Sequence, residues 1–294
     1  MIDDTTTQQS PRIYKILLMV LPVGVVVGTV IFMVMYFYLE RKEEREHSVI
    51  VSHGLRVSDL ESMVGKYTDR IGPRVIETDE GRLGLRRAAS MIEGGLGPQN
   101  VGYLVKKSEG EAAYGLLWKS LSVELRGASE PDEVVLVAVS YAGAGELADA
   151  HCVSTLQILA SSMARETPAR TLRFVFLPMD RSPVEQNQWL TRRCLEAGER
   201  CVGIIGLRTM EKPPEIGADD WTVVAPTDAD QSWWEYLSEG GPSAGGSEAS
   251  SPPSVWVTHT VFSPAAWVDQ REGRLARTLD VARAIRAWLL KAAR

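Results

Sequence analysis

A chain of 294 residues with 45% hydrophobic side chains is long enough to bury a full core as one large domain or two small ones, which excludes a disordered or fibrous protein. Its formal net charge of −6 offers no long-range attraction for nucleic acid. No dense cluster of Lys and Arg offsets that balance, so nucleic-acid binding is set aside.

After a short tail of residues 1–15, Ile16 to Leu39 run without a charged side chain between Lys15 and Glu40. At a rise of about 1.5 Å per residue the run reaches about 36 Å, against a hydrocarbon core of about 30 Å. This predicts one transmembrane helix over residues 16–39, with the lipid bilayer as its partner. Tyr36, Phe37 and Tyr38 gather at one end as interfacial aromatics do. Glu40-Arg41-Lys42 stands where a signal peptide would carry small residues for cleavage. The flanking charges, Arg12 and Lys15 before and Arg41, Lys42 and Arg45 after, nearly balance and by themselves slightly favour a cytoplasmic C-terminus. Residues 40–57 read as a charged stalk.

From residue 58 onward the pattern is that of a globular α/β domain. Asp59 to Asp69 and Thr78 to Gly94 carry helical apolar spacing, with Ser58 and Thr78 as caps and Ile71-Gly72-Pro73-Arg74 breaking the chain between them. Asn100 to Lys106 and Leu116 to Arg126 read as strands, and the continuous apolar run Glu133 to Tyr141 as a buried parallel strand. Val153 to Arg165 reads as a helix, Arg170 to Leu177 as a strand, Val184 to Ala197 as a helix and Cys201 to Leu207 as a strand. Trp221 to Ala225 and Ser254 to Thr260 are further strands. Residues 238–253 between them, rich in Gly, Ser, Pro, Ala and Glu, read as a flexible loop. The closing segment Arg271 to Ala293 sets Leu275, Leu279, Ala282, Ile285 and Leu289 on one face, with Arg274, Arg277, Arg283 and Lys291 facing away. This alternation predicts a three-layer α/β/α sandwich over residues 58–294, with a mostly parallel mixed sheet.

Several residues invite chemical readings. Cys194 and Cys201 flank Leu195 to Arg200 and are candidates for a disulfide in an oxidising compartment. Two separately buried thiols fit the same spacing. Ser140, Asp149 and His151 supply the residue types of a serine hydrolase, but no G-x-S-x-G elbow accompanies them, and His151 reads better as a polar residue at a helix start. Cys152 reads as a small core residue rather than a reactive thiol. Trp233, Trp234, Trp256 and Trp267 fit core or anchoring roles better than an exposed binding face.

Read in order, several strings resemble the zinc aminopeptidase family that includes bacterial leucyl aminopeptidases and glutamate carboxypeptidase. They are Ile71-Gly72-Pro73-Arg74 with Gly81, Pro131 to Leu136, Thr171 to Phe176, Gly203 to Leu207, and His259-Thr260. The family's chemistry needs two zinc ions on His and carboxylate ligands, with a glutamate acting as base on metal-bound water. The resemblance places Ser140-Tyr141-Ala142 at the first histidine ligand and its aspartate. It places Ala150 at the bridging aspartate, with Asp149 as its neighbour, and a one-residue slip would restore that bridge. Asp180 and Arg181 stand at the glutamate pair, Arg208 at the late aspartate, and only His259 keeps a ligand type.

The resemblance therefore implies a degenerate relative with no catalytic residues and no zinc, whose cleft would present cationic donors to an anionic or peptide ligand. It also implies an exported domain, so the expectation is a single-pass membrane protein with its domain on the extracytoplasmic side. A binding or scaffold protein is the first functional reading. A membrane-anchored metallo-aminopeptidase or other hydrolase that uses zinc, and a structural subunit of a membrane complex, remain as alternatives.

Overall fold

The computed structural model of the chain describes residues 29, 31–33, 35, 55–108, 112–113, 116–144, 147–210, 221–224, 228–239, 252–260 and 264–294. The chain divides into two units, Met1–Ile50 and Val51–Arg294. The predicted membrane span falls outside the described residues apart from Thr29, Ile31, Phe32, Met33 and Met35, which are helical and exposed. Among the described residues no helix is long and apolar enough to cross a membrane.

The second unit opens with α1 (Val57–Gly65), which has no side-chain cap, so the expected role of Ser58 is not realised. A π-helical turn, Lys66–Ile71, follows it and ends at Gly72, whose φ of 72° suits glycine. Thr78 does cap the next helix, α2 (Asp79–Leu96), accepting a hydrogen bond from the Gly81 amide at 3.0 Å. The strand expected over residues 100–106 shrinks to β1 (Lys106–Ser108), because Asn100, Val101 and Gly102 turn back to bond the Gly97 carbonyl. The strand expected over residues 116–126 is broken. Its first residues form a two-stranded ribbon, β2 (Ala112–Ala113) with β3 (Leu116–Leu117), and only β4 (Ser120–Leu125) joins the main sheet.

Next come β5 (Glu130–Ser140), α3 (Leu147–Met163), β6 (Arg170–Leu177), α4 (Pro183–Arg193) and β7 (Arg200–Met210). Helix α4 starts at a capping box of Ser182 with Glu185, with Pro183 as its first helical residue. The chain closes with β8 (Trp221–Val224), α5 (Asp228–Glu239), β9 (Ser254–Thr260) and α6 (Pro264–Ala292). Helix α5 was not expected from the sequence, and it reaches into the segment read as a loop. Most of that loop lies outside the described residues.

The sheet is seven-stranded in the order β1-β4-β6-β5-β7-β9-β8. Its central four strands, β6-β5-β7-β9, are parallel, and the outer pairings are antiparallel. Side chains alternate across β5: Val135, Val137 and Val139 join one core with Leu156 of α3 and Ile285 of α6, while Val134, Leu136 and Ala138 join another with Leu190 of α4. Helices thus cover both faces, which is why β5 reads as an unbroken apolar run.

The apolar stripe expected on α6 is buried as a set, but Arg274, expected to face away, is buried with it. Trp256 is fully buried, Trp233 packs against Gly203, and the rings of Trp234 and Trp288 meet edge-on at 4.6 Å. The Trp267 side chain lies outside the described set. The disulfide considered for Cys194 and Cys201 is not formed. Both are free thiols, as is Cys152; Cys194 caps the end of α4, and the Cys201 Sγ donates to the Gly203 carbonyl at 3.5 Å.

Candidate functional site

Parallel strands joined by helices leave a crevice beyond their carboxyl ends, where the connecting loops diverge. Here the chain leaves β5 at Ser140, β6 at Leu177 and β7 at Met210, and a cavity of about 460 Å³ opens at that edge. Its walls include Ser140 and Ala142, Asp149 at the start of α3, Asp180 after β6, and Arg208 and Thr209 near the end of β7. The topology gathers these residues from positions far apart in the chain.

Strands β6 and β7 flank β5, so Asp180 and Arg208 face each other across the end of β5. An Arg208 Nη atom lies 3.8 Å from the Asp180 carboxylate, an ion pair longer than a hydrogen bond. Arg208 is 22% exposed and Asp180 48%, so the pair sits at the mouth.

The same cavity is lined by a residue whose local sequence carries no sign of a side-chain role. Arg74 pairs its backbone with Gly143, donating to the Gly143 carbonyl at 2.7 Å and accepting from its amide at 3.0 Å. Its guanidinium is fully buried. Nε donates to the Tyr141 carbonyl at 2.8 Å, and Nη1 donates to the carbonyls of Gly72 at 3.0 Å and Tyr67 at 3.3 Å. Nη2 has no hydrogen-bond partner among the described residues, although Arg74 contributes to the cavity wall. Burial lowers its pKa, and the Asp149 charge is the chief opposing influence.

Asp149 accepts a hydrogen bond from the Thr209 hydroxyl at 3.0 Å. A Cβ on residue 143 would fall 2.2 Å from its Oδ2, so the close approach of loop and carboxylate requires Gly143. Cys152 also lines the cavity, 3.9 Å from the Thr209 hydroxyl. Burial first, then the Asp149 charge, pushes its thiol far above the ordinary range, so it is not a poised nucleophile.

The remaining residues singled out in the sequence lie elsewhere. Ala150 is buried in the core. Arg181 does not line the cavity; its guanidinium lies 5.8 Å from the centre of the Trp189 ring. His259, on β9, does not line the cavity; its ring is parallel to that of His151 at 5.1 Å and tilted against Trp221 at 4.5 Å. His151 Nδ1 is 3.1 Å from the Thr278 hydroxyl of α6. A serine-hydrolase arrangement is therefore not built, because the histidine contacts α6 while the Ser140 Oγ accepts from the Ala142 amide. Burial, then the Arg274 charge, lowers the pKa of His259 to about 3. Burial, then His259 and Arg274, drives His151 well below its ordinary value.

The cavity carries three carboxylates, Glu77, Asp149 and Asp180, against the guanidiniums of Arg74 and Arg208. Of the two cationic donors expected at the cleft, Arg208 lines the cavity beside these carboxylates and Arg181 does not. Among the described residues no histidine lines the cavity, and no group of three or more His, Cys, Asp or Glu side chains could hold a metal ion. With a guanidinium facing Asp180, this donor set does not fit a two-zinc centre.

Among solved structures, the zinc aminopeptidase BSAP of Bacillus subtilis is similar at a TM-score of 0.54 and 10% identity, over 82% of this chain and 96% of that one. Glutaminyl cyclases of Porphyromonas gingivalis and Fimbriiglobus ruber are similar at a TM-score of 0.50 each. The first is 13% identical over 81% of this chain and 99% of that one, the second 12% identical over 82% and 96%. At such identities the likeness is one of fold. No family model and no curated protein matches the sequence.

Proposed function

We propose that this chain is a non-catalytic binding or scaffold protein, built on an aminopeptidase-like fold and tethered to a membrane by the helix expected over residues 16–39. The observation that carries this reading is Arg208 in the cleft, facing Asp180. A guanidinium about 4 Å from another positive charge is repelled by about 4 kcal/mol per unit charge at an effective dielectric near 20, and zinc carries two.

The test is metal analysis of the purified full-length chain, together with an assay for amino acids released from peptides. Substoichiometric zinc and no release are expected. One zinc or more per chain with peptide turnover would establish instead the second reading, a metallopeptidase, which the fold likeness alone supports.

A further inference from the structure

The ion pair at the mouth of the cavity stands over side chains that are almost wholly buried. We propose that Arg208 and Asp180 form a gate: the pair screens the floor of the cleft, and a small molecule reaches that floor only when Arg208 swings away. This rests on the reading of the same cleft as a binding site.

Exposure grades the cavity from rim to floor. Asp180 is exposed and Arg208 partly so, whereas Val139, Leu207 and Cys152, which line the same space, are at most 2% exposed. The pair crosses the carboxyl end of β5, whose last residues, Val139 and Ser140, belong to the lining. Cys152 marks the floor, with its Sγ 3.9 Å from the Thr209 hydroxyl that donates to Asp149. Burial first, then the Asp149 charge and after it that of Asp180, opposes ionisation of this thiol, so it lies within Coulombic reach of the gate.

A gate must be held without being locked. Asp180 Oδ1 accepts from the Arg181 amide at 3.0 Å and its Oδ2 faces Arg208, so the aspartate is the fixed post and the arginine the moving arm. At 3.8 Å the arm lacks the short hydrogen bonds of a bidentate pair. Arg173 shows the contrast: it is 4% exposed and bonds the Glu124 and Glu199 carboxylates at 2.7–2.8 Å, as a structural arginine does. A long, partly exposed pair contributes little stability, so little is lost when Arg208 turns to solvent.

Labelling of the full-length protein with methyl methanethiosulfonate, a small uncharged thiol reagent, tests this when each cysteine is followed by peptide mass spectrometry. Arg208→Ala should label Cys152 faster by about tenfold or more, with Cys194 and Cys201, in the core on the other face of the sheet, at wild-type rates. The sign is diagnostic. Without Arg208 the Asp180 charge stands uncompensated and makes the thiol harder to ionise, so electrostatics alone predicts slower labelling. Arg208→Lys, which can re-form the pair, should stay near wild type. Raising the ionic strength from about 0.05 M to about 1 M should speed Cys152 labelling about threefold in the wild type and not in Arg208→Ala. Cys152 labelling unmoved by Arg208→Ala, a rise in all three cysteines together, or a wild-type rate indifferent to salt would overturn the gate. The assay uses neither ligand nor metal, so zinc with peptide turnover would sink the non-catalytic reading and leave the gate standing.

Discussion

Arg208 on β7 and Asp180, just beyond the end of β6, meet at 3.8 Å although β7 and β6 are not neighbours; the pair spans the carboxyl end of β5. Partly exposed pairs of this kind contribute little to folding, roughly 0–1 kcal/mol. Arg208→Gln should therefore shift the urea midpoint only slightly, as checked by equilibrium unfolding. A loss of several kcal/mol would mean that the pair serves the fold rather than the cleft.

The stacked histidines predict a pH dependence. His151 and His259 are buried bases with depressed pKa values, so the unfolded chain binds more protons than the folded one. Their stabilising contribution is complete above the ordinary histidine pKa of about 6.5 and is lost as pH falls below it, by about 1.4 kcal/mol per pH unit for each ring. Unfolding free energies measured between pH 7.5 and 5 should fall accordingly, and His259→Gln should flatten the slope. A level profile in the wild type would contradict the burial of both rings.

Arg173 is 4% exposed and bonds the Glu124 carboxylate at 2.7 Å and the Glu199 carboxylate at 2.7–2.8 Å. Burial works against its charge, but the hydrogen bonds to Glu199 and Glu124 outweigh it and raise its pKa. Arg173→Met leaves both carboxylates facing one another without the cation, and should cost about 3 kcal/mol. Arg173→Lys should cost less, a comparison that denaturant titration resolves.

Gly206 lies in β7, where a Cβ would stand 2.2 Å from the buried Trp256 ring. Gly206→Ala should destabilise by about 1–3 kcal/mol through overpacking. Thermal unfolding unchanged by this substitution would show that the ring can move aside.

The cysteines give a chemical check. Burial pushes Cys194 and Cys201 up to about 12 and Cys152 further, so the native protein should react slowly with thiol reagents at pH 8. After unfolding, three thiols per chain should titrate, equally with and without prior reduction. Only one thiol without reductant would restore the disulfide.

Local pattern carried much of this fold. Strands Arg170–Leu177 and Ser254–Thr260 fall at their expected bounds, and Thr78 caps the helix it was expected to cap. Apolar runs and capping chemistry act over a few residues and can be read in order. The expected cleft was legible in part: Ser140, Asp149, Asp180 and Arg208 line one cavity, each near the end of a strand or the start of the next helix, whereas His259, expected with them, does not line it. What sits beneath and behind them was not. Nothing within a few residues of Arg74 announces a buried guanidinium, and nothing beside His259 announces a ring stacked on His151. Those environments are made by side chains up to about a hundred positions away along the chain, and only the closed fold brings them within hydrogen-bonding and Coulombic range.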